Sequence, residues 1–559
     1  MKKLVNDPRH VVREMLEGLV ALCPDQALLA GEDVIIRAGL PEAAARKVAV
    51  LSGGGAGHEP AHAGYVGTGL LTAAISGDVF TSPSTDAVLS AIRAAAGPAG
   101  AVLIVKNYTG DRLNFGLAAE LAKAEGIPAE IVVVADDVAL HDTVPAERRR
   151  GIAGTVLVHK VAGAAAEAGW PLARVAEAAR AAARDLGTMG VALGACTVPA
   201  AGKPGFVLGE DEVELGLGIH GEQGVRRGAL EAADRLVDAI LQVILKDRAL
   251  KAGDRVALLV NGLGGTPPME LAIVARRALA VLREGGLRVE RAWSGNFLTA
   301  IEMPGCSLSL MKVDDDRLSL LDAAATAPAW PGGGRIAPPK ILGGAPRQAE
   351  NGGPAGVADL QLRAMLFKVA AKLEAAEEQL TTLDSAAGDG DLGISMLRGA
   401  EALRALPDGA FSDPATALTA LAGALRRAIA GSSGPFYAVA LMRAARIIAL
   451  AGARPDAQVL SSAFRAGVEA IAELGGAAPG DRTMLDALVP AAEAFGGAVN
   501  DGVPLAEAWR AAIAAADKGL QATAGMRPRL GRAAYLGDRA LGTPDAGAAA
   551  VTVWMRGLL

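Results

Sequence analysis

The sequence predicts a multidomain protein in which two α/β domains are followed by an all-helical domain. Up to about residue 200, short β-branched runs alternate with Ala-rich segments, which is typical of a mostly parallel sheet covered by helices. A second α/β block follows, and beyond residue 356 the strand pattern gives way to Ala, Leu, Arg and Glu at helical spacing. The 559 residues, of which 51% are hydrophobic, suffice for about three or four domains.

Individual elements follow from local patterns. In the first block, β-branched residues predict strands at Lys47–Leu51, Ala101–Lys106, Ile131–Ala135 and Gly154–Lys160. Helices such as Leu117–Glu125 lie between them. In the second block, Arg255–Asn261 is predicted as a buried strand that leads into a glycine-rich turn and a helix from Pro268.

A segment rich in proline and glycine separates the α/β blocks from the helical part. It includes Pro331-Gly332-Gly333-Gly334 and has too few large apolar residues to form a core, which indicates an interdomain linker. Helical segments such as Asp359–Leu380 and Ala415–Ile429 follow it. We therefore predict a first α/β subdomain at residues 1–195, a second at 196–326, a linker at 327–356 and a helical domain at 357–559.

Charge and cysteine content narrow the class of protein. The net charge of −6, from 55 basic and 61 acidic residues without a basic block, makes nucleic acid and anionic membranes unexpected partners. The separated residues Cys23, Cys196 and Cys306 are typical of buried thiols in a reducing compartment. Charged residues interrupt the N-terminus before a signal peptide core, and no charge-free run is long enough to span a bilayer. A cytoplasmic protein is expected.

Three carboxylates on a glycine-rich turn predict a metal site. Asp384 precedes the segment Gly388–Gly393, which contains Asp389 and Asp391. Glycine allows a tight turn, and short Asp side chains can then face one hard cation. An EF-hand is excluded because its loop needs Glu at the twelfth position. Counting from Asp384 this position is Ser395, and counting from Asp389 it is Ala400. A solvated turn is the alternative, and Mg²⁺ with open positions for substrate phosphates is the prediction.

Glycine-rich turns after predicted strands indicate a second site. Leu51–Pro60 ends near His58, and Asp78–Pro83 and Val105–Asp111 also follow apolar runs. Open α/β sheets bind ligands at such strand ends, so the three turns are expected to converge on one pocket. The alternative is that His58 and Asp111 merely cap helices. No P-loop occurs, and the turn at Gly262–Pro267 lacks the third glycine of a dinucleotide site.

His220 lies in the glycine-rich stretch Gly216–Gly224. A histidine in an apolar setting is commonly a hydrogen-bonded core residue. The flanking glycines favour a functional role, because a neutral imidazole held against a carbonyl carbon can act as a nucleophile.

Taken together, these motifs resemble the ATP-dependent, single-chain dihydroxyacetone kinases, also called glycerone kinases. The resemblance spans essentially the whole chain. It implies an N-terminal K part of two α/β domains that binds the ketose, and a C-terminal L part, a barrel of eight helices, that binds Mg-ATP. The segments that carry it are Leu51–Pro60, Val79–Pro83, Lys106–Phe115, Gly216–Gly224, Leu383–Gly399, Gly431–Pro435 and Gly531–Gly547.

The resemblance also implies roles for residues of the K part. His220 would attack the ketone to form a covalent hemiaminal. Asp111 would take the proton from the substrate hydroxyl, and His58 would hydrogen-bond that hydroxyl. The substrate would be lined by Gly55, Ser82 and Lys106, together with Asp111 and His220.

In the L part, the resemblance implies two Mg²⁺ ions held by Asp384, Asp389 and Asp391 between nucleotide phosphates. The segments Gly431–Pro435, Gly480–Asp486 and Gly525–Arg532 would surround the nucleotide, although the last is alternatively a solvated basic loop. The implied nucleotide-binding residues are Ser432, Ser433, Gly434, Thr483, Met484, Arg527 and Arg529.

The predicted reaction is in-line transfer of a phosphoryl group from ATP to the terminal hydroxyl of dihydroxyacetone. Alternatives are a kinase for D- or L-erythrulose or a related short ketose, FMN cyclase activity at the nucleotide site, and a non-catalytic ketose-sensing regulator, which would not need the carboxylates. A phosphoenolpyruvate-linked system is disfavoured because it resembles separate subunits. The family further suggests a homodimer in which the K part of one chain meets the L part of the other.

Overall fold

The computed structural model describes residues 2–343, 357–452 and 454–559, without the side chain of Arg532. The chain divides into two compact units, Met1–Lys340 and Ile341–Leu559. The fold class predicted from the sequence, α/β followed by helical, is confirmed.

The first unit begins with a sheet whose described strands lie in the order β1-β2-β4-β3-β5-β6. The neighbours β4, β3, β5 and β6 pair in parallel, while β1 and β2 add antiparallel pairings at one edge. The strands are β1 (Gln26–Leu28), β2 (Val34–Arg37), β3 (Ala49–Ala56), β4 (Ala73–Val79), β5 (Ala101–Lys106) and β6 (Ala129–Val134). The helices of this part are α1 (Val11–Leu22), α2 (Thr85–Ala95), α3 (Thr109–Ala124), α4 (Thr155–Glu167) and α5 (Leu172–Arg184).

Both faces of this sheet are covered, as β5 shows. Every residue of β5 is buried. Val102 and Ile104 pack into a cluster with α4 and α5, whereas Leu103 and Val105 pack into another with α2 and α3. Helices on both faces explain why the strands of the sheet are continuous apolar runs rather than alternating ones.

The predicted strand Gly154–Lys160 is wrong, because these residues begin helix α4. The Asp136 carboxylate accepts hydrogen bonds from the backbone N–H groups of Ile152 and Gly154 at 2.7 and 2.9 Å, which satisfies donors at the helix start. The helix is buried from Thr155 to Ala166, so it is apolar on all sides. A short β-branched run in such a helix cannot be told from a buried strand by periodicity.

The second sheet of this unit has its described strands in the order β11-β10-β12-β7-β8-β9. Strands β10 and β11 are parallel and the remaining neighbours antiparallel. Its strand β7 lies before residue 196, where the second subdomain was predicted to begin. The strands are β7 (Leu186–Ala192), β8 (Glu212–Leu215), β9 (Arg226–Ala229), β10 (Arg255–Gly262), β11 (Arg288–Gly295) and β12 (Gly305–Lys312). The helices are α6 (Ala233–Asp247), α7 (Pro268–Glu284) and α8 (Asp315–Asp322).

The start of the predicted linker packs onto the first unit. Ala327 and Trp330 are buried in its core, and the Trp330 ring lies 5.0 Å from that of Trp293, measured between centroids. Residues 344–356 of the predicted linker lie outside the described residues.

The second unit is helical, with nine α-helices among its described residues. Along the chain, α11 to α17 pack each on the next, and α17 packs back on α9, which also contacts α11, so the helices form a closed ring. Apolar side chains such as Leu366, Leu421 and Trp509 line a cavity of about 610 Å³ inside it. The helices are α9 (Leu360–Ala375), α10 (Glu377–Ala387), α11 (Leu392–Arg404), α12 (Pro414–Ala428), α13 (Ser433–Ala451), α14 (Ala457–Gly475), α15 (Leu485–Asn500), α16 (Leu505–Thr523) and α17 (Ala546–Gly557).

Helix α13 is, among the described helices, the one whose length and composition would allow it to cross a membrane. In the structure it packs against α12 and α14. Arg443 on this helix forms an ion pair with Glu473 at 2.8 Å.

Candidate functional site

In the first unit, the ends of β3, β4 and β5 bring the three predicted glycine-rich turns together. A Cβ atom at Gly55 would lie 2.5 Å from the backbone nitrogen of Thr81, so the end of β3 fits against the turn after β4 only as glycine. Ser82 in that turn lies against the start of α3, since a Cβ at Gly110 would be 3.1 Å from the Ser82 Cβ. The convergence predicted from the sequence is therefore present.

Lys106 and Asp111 both lie beside Gly54. Lys106 ends β5 and is fully buried, and Asp111 lies in the first turn of α3 with 4% of its surface exposed. The position of a Cβ at Gly54 would be 2.6 Å from the Lys106 Nζ and 3.3 Å from the Asp111 Oδ2. Burial lowers the pKa of Lys106, and the charge of Asp111 opposes that shift.

The alternative that His58 and Asp111 serve only as helix caps does not hold. The N-cap of α3 is Tyr108, not Asp111. The His58 Nδ1 lies 2.8 Å from the Thr299 carbonyl oxygen and therefore donates to it. Its Nε2 then carries a lone pair, and this buried atom has no hydrogen-bond partner among the described residues. A buried unpaired acceptor is uncommon and indicates a place for a ligand hydroxyl.

Aromatic rings surround the side chain of His220. Its ring centroid lies 4.5 Å from that of Tyr108, 5.1 Å from that of His58 and 5.4 Å from that of Phe80. Phe80 also stacks on His58 and holds a backbone φ of 60°, an unfavourable conformation for a bulky residue. The rings of Tyr108, His58 and Phe80 thus pack around the imidazole of His220.

The imidazoles of His58 and His220 are neutral at neutral pH. Burial lowers the pKa of His58 well below its usual value, and Lys106 and His220 lower it further. Burial also lowers the pKa of His220, an effect that Glu222 opposes. An unprotonated ring nitrogen is what a nucleophile or a hydrogen-bond acceptor requires.

Charged residues that were not assigned a role from the sequence hold the His220 loop. The backbone N–H of His220 donates to the Glu222 Oε2 at 2.8 Å. Arg150 contacts the Glu222 Oε1 at 3.3 Å, the Gly216 carbonyl at 2.8 Å and the Asp137 Oδ2 at 2.7 Å. This network fixes the loop backbone, but its residues lie far apart along the chain and show no sequence pattern.

In the second unit, the predicted metal-binding carboxylates lie together. Asp384, Asp389 and Asp391 each offer one carboxylate oxygen, and these three oxygens lie within 4.8 Å of one another. Asp384 lies in the last turn of α10, and its Oδ2 accepts the N–H groups of Asp391 and Leu392 at 2.9 and 3.2 Å. Three carboxylates of this type fit a hard divalent cation such as Mg²⁺, which these residues would hold.

The predicted nucleotide segments lie at helix starts. Ser432 is the N-cap of α13 and Ser433 its first residue, and the Ser432 side chain forms no cap hydrogen bond with the N–H groups of the first turn. Thr483 and Met484 precede α15, where the Asp486 carboxylate accepts the Thr483 N–H at 2.8 Å. Gly434, the next residue of α13, is buried.

The Asp545 carboxylate lies near two features of this unit: the carboxylate cluster of Asp384, Asp389 and Asp391, and the loop that contains Thr483. Asp545, the N-cap of α17, has its pKa raised to about 6 by burial, with smaller contributions from Asp486 and Asp384. The buried guanidinium of Arg482 lowers that pKa, and it also donates to the carbonyls of Ala540 and Thr543 at 3.0 and 2.8 Å. The carboxylate cluster and the loop that contains Thr483 are therefore neighbours, in agreement with the resemblance, which implies that both surround one nucleotide.

The predicted basic segment is exposed. Arg527 and Arg529 form ion pairs with Asp538 at 3.3 Å and Asp481 at 3.6 Å, and each guanidinium side chain is about 70% exposed. The side chain of Arg532, also in this segment, lies outside the described part. Nucleotide binding by Arg527 and Arg529 stays a prediction.

Comparison with known proteins decides the family. A Dak1 domain matches residues 17–329, and a DAK2 domain matches residues 386–559. The chain belongs to the single-chain dihydroxyacetone kinase family. It is 43% identical to the mouse triokinase/FMN cyclase, covering 100% of this chain and 98% of the relative. It is 38% identical to the D-erythrulose kinase of Mycolicibacterium smegmatis, with the same coverage.

A solved dihydroxyacetone kinase has the same architecture. The crystal structure of the C. freundii enzyme in complex with AMP-PNP and Mg²⁺ is 33% identical and aligns with a TM-score of 0.63. The alignment covers 100% of this chain and 99% of that one. This chain is thus a member of the dihydroxyacetone kinase family, whereas its exact substrate is a separate question.

Proposed function

We propose that this chain phosphorylates dihydroxyacetone to dihydroxyacetone phosphate, with ATP as the phosphoryl donor. The observation that carries the proposal is the position of His220, a neutral imidazole enclosed by Tyr108, Phe80 and His58. Such a group can add to the carbonyl carbon of a small ketone and hold it as a hemiaminal. The proton from the nitrogen then passes to the carbonyl oxygen, so no group leaves.

We assign the remaining roles at the proposed ketose site to four other residues. We assign Asp111 as the base that takes the proton of the terminal hydroxyl, because it is a buried carboxylate next to Lys106. The free Nε2 of His58 accepts the hydrogen bond of that hydroxyl before transfer. Gly55 and Ser82 line the same turn region, where glycine leaves room for the substrate.

In the second unit, we assign nucleotide binding to the loops around the carboxylate cluster. Asp384, Asp389 and Asp391 would hold two Mg²⁺ ions, which would supply positive charge near the phosphates of the nucleotide. The N–H groups of Ser432, Ser433 and Gly434 bind phosphate oxygens at the start of α13. Thr483 and Met484 contact the nucleotide from the neighbouring loop, and Arg527 and Arg529 close over it.

We further propose a cytoplasmic homodimer in which the first unit of one chain works with the second unit of the other. The free thiols of Cys23, Cys196 and Cys306 support a reducing compartment. The dimer rests on the family resemblance.

Two further activities are candidates. The likeness to a D-erythrulose kinase favours a ketose with one more carbon as an alternative substrate. The likeness to proteins named triokinase/FMN cyclase favours a second reaction at the nucleotide site. A non-catalytic regulator is disfavoured, because ketose sensing would not require the carboxylate cluster.

The test is an ADP-release assay with Mg-ATP across dihydroxyacetone, D- and L-erythrulose, glyceraldehyde and glycerol. We expect dihydroxyacetone to give the highest kcat/KM and glycerol, which has no carbonyl for His220, to lose at least about 100-fold because the covalent orientation is missing. Comparable kcat/KM for glycerol would contradict the covalent mechanism. If an erythrulose gives a higher kcat/KM than dihydroxyacetone, the erythrulose is the preferred substrate. A separate incubation with FAD tests for cyclase activity.

A further inference from the structure

A row of buried polar side chains lies behind Lys106. It consists of His62, Ser52 and His159, which come from the turn after β3, from β3 itself and from α4. His62 is 5% exposed and the other two are fully buried. None of them has a role in the site described above.

The hydrogen bonds fix the position of every proton in this row. The Lys106 Nζ lies 2.7 Å from the His62 Nε2, and an ammonium can only donate, so this nitrogen accepts. A neutral His62 then carries its hydrogen on Nδ1, which lies 3.4 Å from the Ser52 Oγ. The Ser52 hydroxyl donates its single hydrogen to the Ile104 carbonyl at 2.7 Å and therefore accepts from His62.

The far end of the row is consistent with the same assignment. The His159 Nε2 lies 3.0 Å from the Ser52 Oγ and donates to it. Its Nδ1 is left with a lone pair, and this buried atom has no partner among the described residues. For His159, burying a neutral ring with an unpaired Nδ1 lone pair costs less free energy than burying an imidazolium with an unpaired Nδ1–H.

The three side chains of the row are uncharged, and the positive charge lies on the neighbouring Lys106. Burial lowers the pKa of His62 well below its usual value and that of His159 to about 3, with Lys106 lowering both further. The nearby Asp111 stabilises the charged form of Lys106. The imidazoles are thus neutral neighbours of an ammonium and not additional cations.

We infer that His62 is a positioning residue that directs the ammonium of Lys106 at the ketose. The Gly53 carbonyl takes one ammonium hydrogen at 3.2 Å and His62 takes a second. The third hydrogen is left for a substrate oxygen beside Gly54 and Asp111. Ser52 and His159 keep His62 in the tautomer that can accept. The inference rests on the proposed ketose kinase function.

A matched pair of variants tests the role. His62→Leu removes the acceptor, while His62→Gln places an amide oxygen near the position of the Nε2. We expect His62→Leu to raise KM for the ketose roughly 10- to 100-fold, because a hydrogen bond to a charged group is lost. The kcat and the KM for ATP should change less than about threefold, and His62→Gln should recover most of the loss. Equal defects in both variants would overturn the assignment.

A double-mutant cycle separates positioning from packing. In a Lys106→Met background, His62→Leu should raise the ketose KM less than about twofold further, because its effect is transmitted through the ammonium. Full additivity of the two substitutions would show that His62 acts independently of Lys106, which contradicts the inference.

A spectroscopic measurement does not depend on turnover or on a variant that folds poorly. In protein with ¹⁵N-labelled histidine, His62 should be a neutral Nδ1–H tautomer between about pH 6 and 8. An Nε2–H tautomer or an imidazolium would overturn the inference. If the enzyme phosphorylates no ketose, the proposed function fails, whereas the tautomer still decides whether His62 accepts from Lys106.

Discussion

The residues of the proposed ketose site differ mainly in which proton each can give or take. His58 donates from Nδ1 to a backbone carbonyl and so keeps its Nε2 as an acceptor. Asp111 can accept a proton, whereas Lys106 can only donate while it is charged. His220 is neutral through burial. These assignments lead to separate kinetic consequences for single substitutions.

Base and nucleophile should give different kinetic signatures. Asp111→Asn keeps the shape of the side chain but cannot take a proton, so kcat should fall by roughly 10²- to 10⁴-fold. His220→Ala removes the anchor of the substrate and should mainly raise KM. Steady-state kinetics with dihydroxyacetone measures both. The division of roles is refuted if the two variants share one signature.

The lowered pKa values of His58 and His220 predict the pH dependence of ketose binding. Each group therefore gains its proton at a lower pH than a free imidazole, whose pKa is about 6.5. The competent form is therefore present above the lowered pKa values and lost only below them. Calorimetry without nucleotide should show ketose affinity falling on acidification with a midpoint below about pH 6.5. A loss of affinity centred near 6.5 would contradict the neutral assignment.

Among the elements, the turn between α10 and α11 carries Asp389 and Asp391, two of the three carboxylates proposed to bind metal. Gly390 has a φ of +77°, a conformation that favours glycine, and it lies between Asp389 and Asp391. The backbone of the turn is tied to Asp384 by two hydrogen bonds. The carboxylate cluster is thus held by local structure, which is why the sequence motif alone was sufficient to predict it.

Removal of one carboxylate should separate catalysis from ketose binding. Asp389→Asn takes one charge from the cluster, and kcat should fall by about 100-fold or more, since metal stabilisation of phosphate charge is worth several kcal/mol. The Kd for the ketose should stay unchanged. Glu378→Gln, on the first turn of α10, is the control for loss of one acidic charge and should be nearly silent. Normal turnover of Asp389→Asn at saturating Mg-ATP would remove the cluster from the mechanism.

The sequence was sufficient to predict those elements whose pattern lies within one short segment of the chain. The strand β5 and the turns at His58 and Asp111 were predicted because an apolar run followed by glycine has a direct structural meaning. Helix α4 was missed because burial on all sides erased its periodicity. Arg150 and Arg482 were not assigned roles, because their partners are distant along the chain and follow from the tertiary fold.

At the scale of the whole molecule, the ketose residues and the carboxylate cluster belong to different units. Each unit has its own cores. A substitution that disables one site therefore need not affect the folding of the other. This allows variants with single, complementary defects to be combined.

Mixing such variants tests the proposed dimer. If the first unit of one chain works with the second unit of its partner, subunit exchange between Asp111→Asn and Asp389→Asn gives heterodimers with one intact pair. Random exchange should then restore roughly a quarter of wild-type activity, because half of the dimers carry one of two sites. Native mass spectrometry would confirm exchange. No recovery in an exchanged mixture would mean that each chain works alone.

The glycines of β3 make one short segment serve two purposes. A Cβ at Gly53 would collide with the Ile75 carbonyl of the neighbouring strand, and one at Gly54 would lie 2.6 Å from the Lys106 Nζ. The segment beside Lys106 is thus also part of the sheet, and neither can be altered without the other. Selection for a longer ketose should therefore leave Gly53–Gly55 unchanged and act on walls that do not carry the sheet, such as Phe80 and Tyr108.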